Sequence, residues 1–179
     1  MAIHQPAWSV LLMAAIAAPA CAQSGDITFN GEVTATTCDV SFNGKVGENP
    51  VIVLPTVADS SLRMGNSAGR TPVHVHIGGT APGCASGGVA MRFDPRRQAS
   101  LRDGRLVNMA ATDAAANVLI SLRDDRDQLI DLGSGWISPV VGLIPGGTDI
   151  LFHAEYYADG GDAQPGVVQA PLQYTLNYQ

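Results

Sequence analysis

Apolar residues recur at every second position along much of the chain, and no window sustains a helical period. The run "DITFNGEV" sets Ile27, Phe29, Gly31 and Val33 against Thr28, Asn30 and Glu32. "NPVIVLPTV" predicts a short apolar strand ending near Pro55. "TPVHVHI" places Val73, Val75 and Ile77 on one face and His74 and His76 on the other. "GVAMRF" and "TDILFHAEYYA" each predict a strand, and "NVLISLRDDRDQLIDL" predicts a hairpin turning near Asp124-Asp125-Arg126. "APLQYTLNYQ" ends the sequence, with Leu172, Tyr174, Leu176 and Tyr178 on one face. The gaps "FNGKVGENP", "GGTAPGCASGG", "IPGGTD" and "ADGGDAQPG" carry turn residues, and "VNMAATDAAANV" reads mostly as loop. About seven short strands separated by turn signals predict an all-β, immunoglobulin-like sandwich. No internal repeat and no second domain are apparent.

Composition adds a compartment. The opening "MAIHQPAWSVLLMAAIAAPACAQ" has a short apolar run followed by Ala20-Cys21-Ala22, the pattern of a secretory signal peptide cut after Ala22. Its first residues lack Lys and Arg. A lipoprotein reading, with Cys21 acylated, fits less well because Ala18 and Pro19 suit a lipobox poorly. Cleavage removes Cys21 and leaves Cys38 and Cys84, which in an oxidising compartment read most simply as one disulfide. Such a bridge closes a loop worth roughly 4 kcal/mol of chain entropy. The formal net charge of −6 argues against a nucleic-acid partner.

Catalytic and metal chemistry find little support. His-x-His on a strand points both imidazoles one way, as in some copper and zinc sites. With its cysteine loop, "HVHIGGTAPGCASGG" is similar to periplasmic copper–zinc superoxide dismutase. Beyond the leader, however, the only histidines are His74, His76 and His153, too few to build both metal centres. "GSGW" is a turn rather than a nucleophile elbow. "RDDRDQLID" is a charged hairpin, and Asp159 and Asp162 lack the spacing of a calcium loop. No cofactor is expected.

The two chain ends carry the sharper signal. A glycine in mid-strand, Gly31, weakens that strand and marks close approach of another group. The last strand has a full apolar face, and nothing follows it to cover its far edge. With "GDITFNGEV" ahead of a cysteine, the apolar-x-Leu-Pro-x-Val pattern from Ile52 to Val57, a second cysteine after an alternating strand and the penultimate tyrosine of "YTLNYQ", the sequence resembles the type 1 and P-type pilins of the chaperone–usher pathway. Two departures stand out: "GGTAPGC" adds residues before Cys84, and the overhang ahead of Asp26 is short.

The resemblance implies an incomplete immunoglobulin-like β-sandwich, completed by donor-strand exchange. It implies a signal peptide over 1–22, a donor extension over 23–34 and a pilin domain over 35–179. Ile27, Phe29 and Val33 would enter pockets of a neighbouring subunit, with Gly31 where the groove leaves no room for a side chain. Leu172, Tyr174, Leu176 and Tyr178 would form the edge that a periplasmic chaperone, and later a sibling, pairs with. The implied partners are identical or homologous subunits, that chaperone and an outer-membrane usher. The implied destination, through the periplasm, is a surface fimbria. A single domain argues against a two-domain tip adhesin and against the two-domain chaperone. The competing readings are a self-contained exported binding sandwich and, further off, a degenerate superoxide dismutase fold.

Overall fold

A computed structural model describes residues 38–47 and 49–179, all within the unit Ala35–Gln179. Ile27, Phe29, Gly31, Val33 and the leader lie outside the described residues. The strands are β1 (Asp39–Phe42), β2 (Lys45–Val46), β3 (Ser67–Gly78), β4 (Gly88–Phe93), β5 (Leu101–Arg102), β6 (Arg105–Val107), β7 (Val118–Asp124), β8 (Leu129–Ile130), β9 (Trp136–Ile137), β10 (Val141–Gly142), β11 (Thr148–Ala158) and β12 (Thr175–Tyr178).

The strands form two antiparallel sheets. The larger runs β2-β1-β3-β11-β7-β6-β5, with β8 also on β7; the smaller runs β10-β4-β12, with β9 also on β4. The alternating pattern becomes the core directly. Val73, Val75 and Ile77 of β3 and Ile150 and Phe152 of β11 turn inward and are buried, as are Val89, Met91 and Phe93 of β4. Phe93 meets Phe152 edge to face across the two sheets at 5.7 Å and stacks on Trp136 at 5.2 Å. Asn43 and Gly44 take positive φ of 49° and 78°, closing β1 and β2 into a tight hairpin.

One end of the sandwich carries a smaller cluster of Leu62, Ala115, Val118, Ala158 and Ala163, with Tyr156 and Val168 packing against both it and the main core. There the β3–β11 register slips between Ala154 and Tyr156. Opposite the slip, Gly69 sits at φ +72°, and a Cβ on it would lie 2.8 Å from the Tyr156 ring and 3.2 Å from the Val57 side chain. Only glycine fits that contact.

"NPVIVLPTV" is not a strand. Residues 50–58 form neither helix nor strand and join no ladder. Pro50 and Pro55 cannot donate backbone hydrogen bonds, and no strand among the described residues lies along this stretch. The final strand is also shorter than its sequence pattern, being paired only over Thr175–Tyr178. The charged hairpin, β3, β4 and β11 fall where the alternation places them, with β3 starting earlier, at Ser67.

Cys38 and Cys84 are joined, 46 residues apart in sequence, with Cα atoms 5.6 Å apart. The bridge ties the start of β1 to the loop between β3 and β4. Replacing both cysteines with serine is expected to lower the unfolding free energy by about 4 kcal/mol. Urea titration of the purified subunit, with wild type as reference, measures the change.

Candidate functional site: an open sheet edge

β12 lies at the border of the smaller sheet and pairs with β4 alone among the described strands. Its register fixes which backbone groups face outward. Gly88 and Gln179 exchange both backbone hydrogen bonds, at 2.9 and 2.8 Å. The ladder continues through Ala90 opposite Asn177 and Arg92 opposite Thr175. Bonded pairs alternate in an antiparallel ladder. The N–H and C=O groups of Thr175 and Asn177 therefore point to β4, and those of Leu176 and Tyr178 point to the open side.

β4 itself stops at Phe93. Asp94 accepts from the Arg96 N–H at 3.0 Å and caps a 3-10 turn over Pro95–Arg97, which carries the chain away. That N–H, with the Arg96 guanidinium, holds the Asp94 carboxyl below the usual carboxylate range. A side chain then continues the ladder. Gln98 Nε2 donates to the Gln173 carbonyl at 2.8 Å, and Gln98 Oε1 accepts from the Gln173 N–H at 3.0 Å. Asn108 does similar work one step back. Its Oδ1 accepts from Gln169 N–H at 2.9 Å, and its Nδ2 donates to the Val167 carbonyl at 2.8 Å. By the same alternation, the backbone groups of Leu172 face away from Gln98.

The apolar face of this edge is incompletely covered. Leu172, Tyr174 and Leu176 pack against the core yet are only partly buried, and Tyr178 is 37% exposed. Tyr174 meets Phe42 of β1 edge to face at 5.1 Å. Burial raises the Tyr178 phenol, and a hydrogen bond from the Cys38 backbone opposes the rise, so the last strand is tied to the disulfide. Residues 51–57 form a second unpaired stretch. Ile52 and Leu54 pack on the same core, while Val51 and Val53 are 69% and 73% exposed. No backbone hydrogen bond joins 51–57 to another described residue. Val57 anchors the end of this stretch beside Gly69 and Tyr156.

The four edge residues singled out in sequence thus lie together on one face, and the two cysteines are bonded. Gln98 and Asn108 were not foreseen. Their partners lie 75 and 61 residues away, and no local pattern announces such contacts.

The histidine strand has its own chemistry. His74 is exposed, and the His76 Nδ1 lies 3.0 Å from Asp149 Oδ1. The Nε2 edge of His76 occupies the space that a Cβ on Gly147 would fill. The Nδ1 of His76 is therefore engaged with Asp149, and its Nε2 lies against Gly147. On the same outer face, Arg123 binds the buried Glu155 at 2.8 Å, and that hydrogen bond raises the guanidinium above its ordinary value. Arg105 lies 4.0 Å above the Tyr157 ring. Among the described residues, no cluster of three or more His, Cys, Asp or Glu side chains could hold a metal ion.

Comparison with known proteins bears on the edge. A family model described as fimbrial protein matches residues 27–179. The major fimbrial subunit SMF-1 of Stenotrophomonas maltophilia is 36% identical, over 93% of this chain and 99% of the relative. The F17 fimbrial protein of Escherichia coli is 32% identical, over 94% and 95%. Among solved structures, the P pilus rod subunit PapA superposes with a TM-score of 0.57 at 15% identity, over 79% of this chain and 99% of that one. A chaperone–usher pilus subunit, from a structure addressing rod uncoiling, superposes with a TM-score of 0.56 at 20% identity, over 90% and 100%. At those identities the structural matches speak for the fold.

The engagement of His76 Nδ1 by Asp149, with no metal-holding cluster among the described residues, gives one expectation. Dialysis of the purified protein against zinc or copper(II), followed by elemental analysis, should leave well under one ion per chain. A stoichiometric ion removed by His74→Ala would contradict this arrangement.

Proposed function

The chain belongs to the fimbrial protein family, and from that premise we propose that it is joined to its siblings by donor-strand exchange at the open edge just described. It is a non-enzymatic structural subunit of a surface fimbria and polymerises with other subunits of its kind.

In the proposed mechanism, residues 1–22 are a signal peptide removed on export, and residues 23–34 are a donor extension ahead of the domain 35–179. The donor of one subunit lies between the 172–178 edge and the 51–57 stretch of the next. It adds a strand to the smaller sheet, the mode of recognition called β-augmentation. Ile27, Phe29 and Val33 descend onto the partly covered apolar face, and Gly31 passes where a side chain has no space. Burying three such side chains is worth on the order of 5–9 kcal/mol. Each new ladder hydrogen bond adds about 1 kcal/mol net. The contact is head-to-tail and does not close on itself, so it propagates as a fibre. Before assembly, a periplasmic chaperone lends a strand to the same edge, pairing along Leu172, Tyr174, Leu176 and Tyr178. An outer-membrane usher receives the subunit for export.

One observation supports this reading above the others. The 172–178 segment and residues 51–57 border one core with apolar side chains only partly buried, and neither β12 on its outer side nor residues 51–57 have a strand partner among the described residues. A sandwich that closed on itself would bury those sides.

Deletion of residues 23–33 is expected to give a subunit that accepts a synthetic donor peptide but cannot extend a fibre. Negative-stain microscopy and gel mobility read the two properties separately, and fibres from the deleted chain would refute the mechanism. Phe29→Asp should reduce surface fimbriae at least tenfold while leaving the unfolding midpoint of the chaperone-bound subunit unchanged. A lowered midpoint would place residue 29 in its own domain.

A further inference from the structure

We propose that Gln98 is a positioning residue for donor uptake: its side-chain amide prolongs the acceptor edge beyond the end of β4. The inference rests on the donor-strand reading above. The last paired residue on the main chain of β4 opposite β12 is Arg92, facing Thr175. Beyond it, Asp94, which would stand opposite Gln173, instead caps a 3-10 turn that carries the backbone away. Residues 171–174 would then have nothing on their β4 side to hold them extended.

Gln98 supplies the missing partner. Its amide presents one donor and one acceptor to Gln173, at 2.8 and 3.0 Å, the pair a strand residue would offer. The same Nε2 reaches the Asp94 carbonyl at 3.1 Å, so the amide is fastened to the end of β4. With Gln173 held from one side, Leu172 keeps its backbone groups turned away from Gln98, and the Leu172 and Tyr174 side chains stay against the core. Three residues of extended edge amount to about 10 Å of acceptor, near half the length of a typical strand. The Gln98 amide binds the Asp94 carbonyl and both backbone groups of Gln173, so it acts on the edge through Gln173.

The test uses the full subunit recovered with its chaperone, as wild type, Gln98→Ala and Gln98→Met. The methionine variant keeps the stem and removes only the amide. Each is offered three synthetic peptides: residues 24–33, 24–30 and 27–33. Wild type should lose apparent affinity when the donor is shortened from either end. Both variants should lose about tenfold for the full peptide, near the worth of one or two ladder hydrogen bonds. For one of the two truncations they should match wild type, because that peptide never reaches the affected stretch. Equal sensitivity of wild type and variants to both truncations would overturn the assignment. A Gln98→Met chain that cannot be recovered with the chaperone would overturn it too, by making the residue a requirement of the fold. Uptake of no peptide by wild type would instead refute the donor-strand reading itself.

Discussion

A β-strand has hydrogen-bonding groups on both sides, and a sheet that ends in the middle of a core must find something for the outer row. That constraint governs this molecule. The double hydrogen bond between Gly88 and Gln179 sets the phase of the last strand, and the phase fixes which groups face β4 and which face away. The same alternation turns Leu172, Tyr174 and Leu176 onto the core. Edge polarity and apolar face are therefore coupled, and a one-residue slip would turn the wrong side chains inward. The disulfide and the Tyr178 contact at Cys38 pin one end, and Gln98 and Asn108 pin the other.

Side-chain amides suit the second task better than more strand would. Extending β4 past Phe93 would straighten a turn that Asp94 caps through the Arg96 N–H. A glutamine amide carries a donor and an acceptor in one plane, as the backbone does, and can be delivered from a loop. The result is an edge longer than the strand supporting it.

This division explains what the sequence disclosed. β3, β4 and β11 were legible because burial on one face of a pleated strand imposes a period of two that only the core can enforce. Val73, Val75 and Ile77 are buried while His74 stays exposed, as the pattern required. Residues 51–54 are an unbroken apolar run, which reads as a short strand, yet they join no ladder. Their pattern reflects packing of Ile52 and Leu54, and says nothing of whether a neighbouring strand exists. Residues 170–174 mislead in the same way, since side chains record the core and not the ladder. The Asn43-Gly44 turn closes a hairpin that the sequence marked only as a gap, because the strands flanking it are short. The amide contacts of Gln98 and Asn108 were beyond reach, being made by polar residues whose partners are set by tertiary placement.

An unfinished edge has a thermodynamic consequence on the donor-strand reading. A domain of this size is stable by roughly 5–15 kcal/mol. The inserted side chains alone would contribute an amount of the same order. The joint between subunits would then rival the stability of the subunit, and a fibre would yield by unwinding or unfolding before its links slipped apart. The isolated subunit, lacking that contribution, would depend on what remains within one chain. Covalent closure between Cys38 and Cys84 is one such term, and it acts beside the last strand, where Tyr178 meets the Cys38 backbone. On that reading the bridge keeps the chain folded enough to be handed on, while the edge stays open to a neighbour.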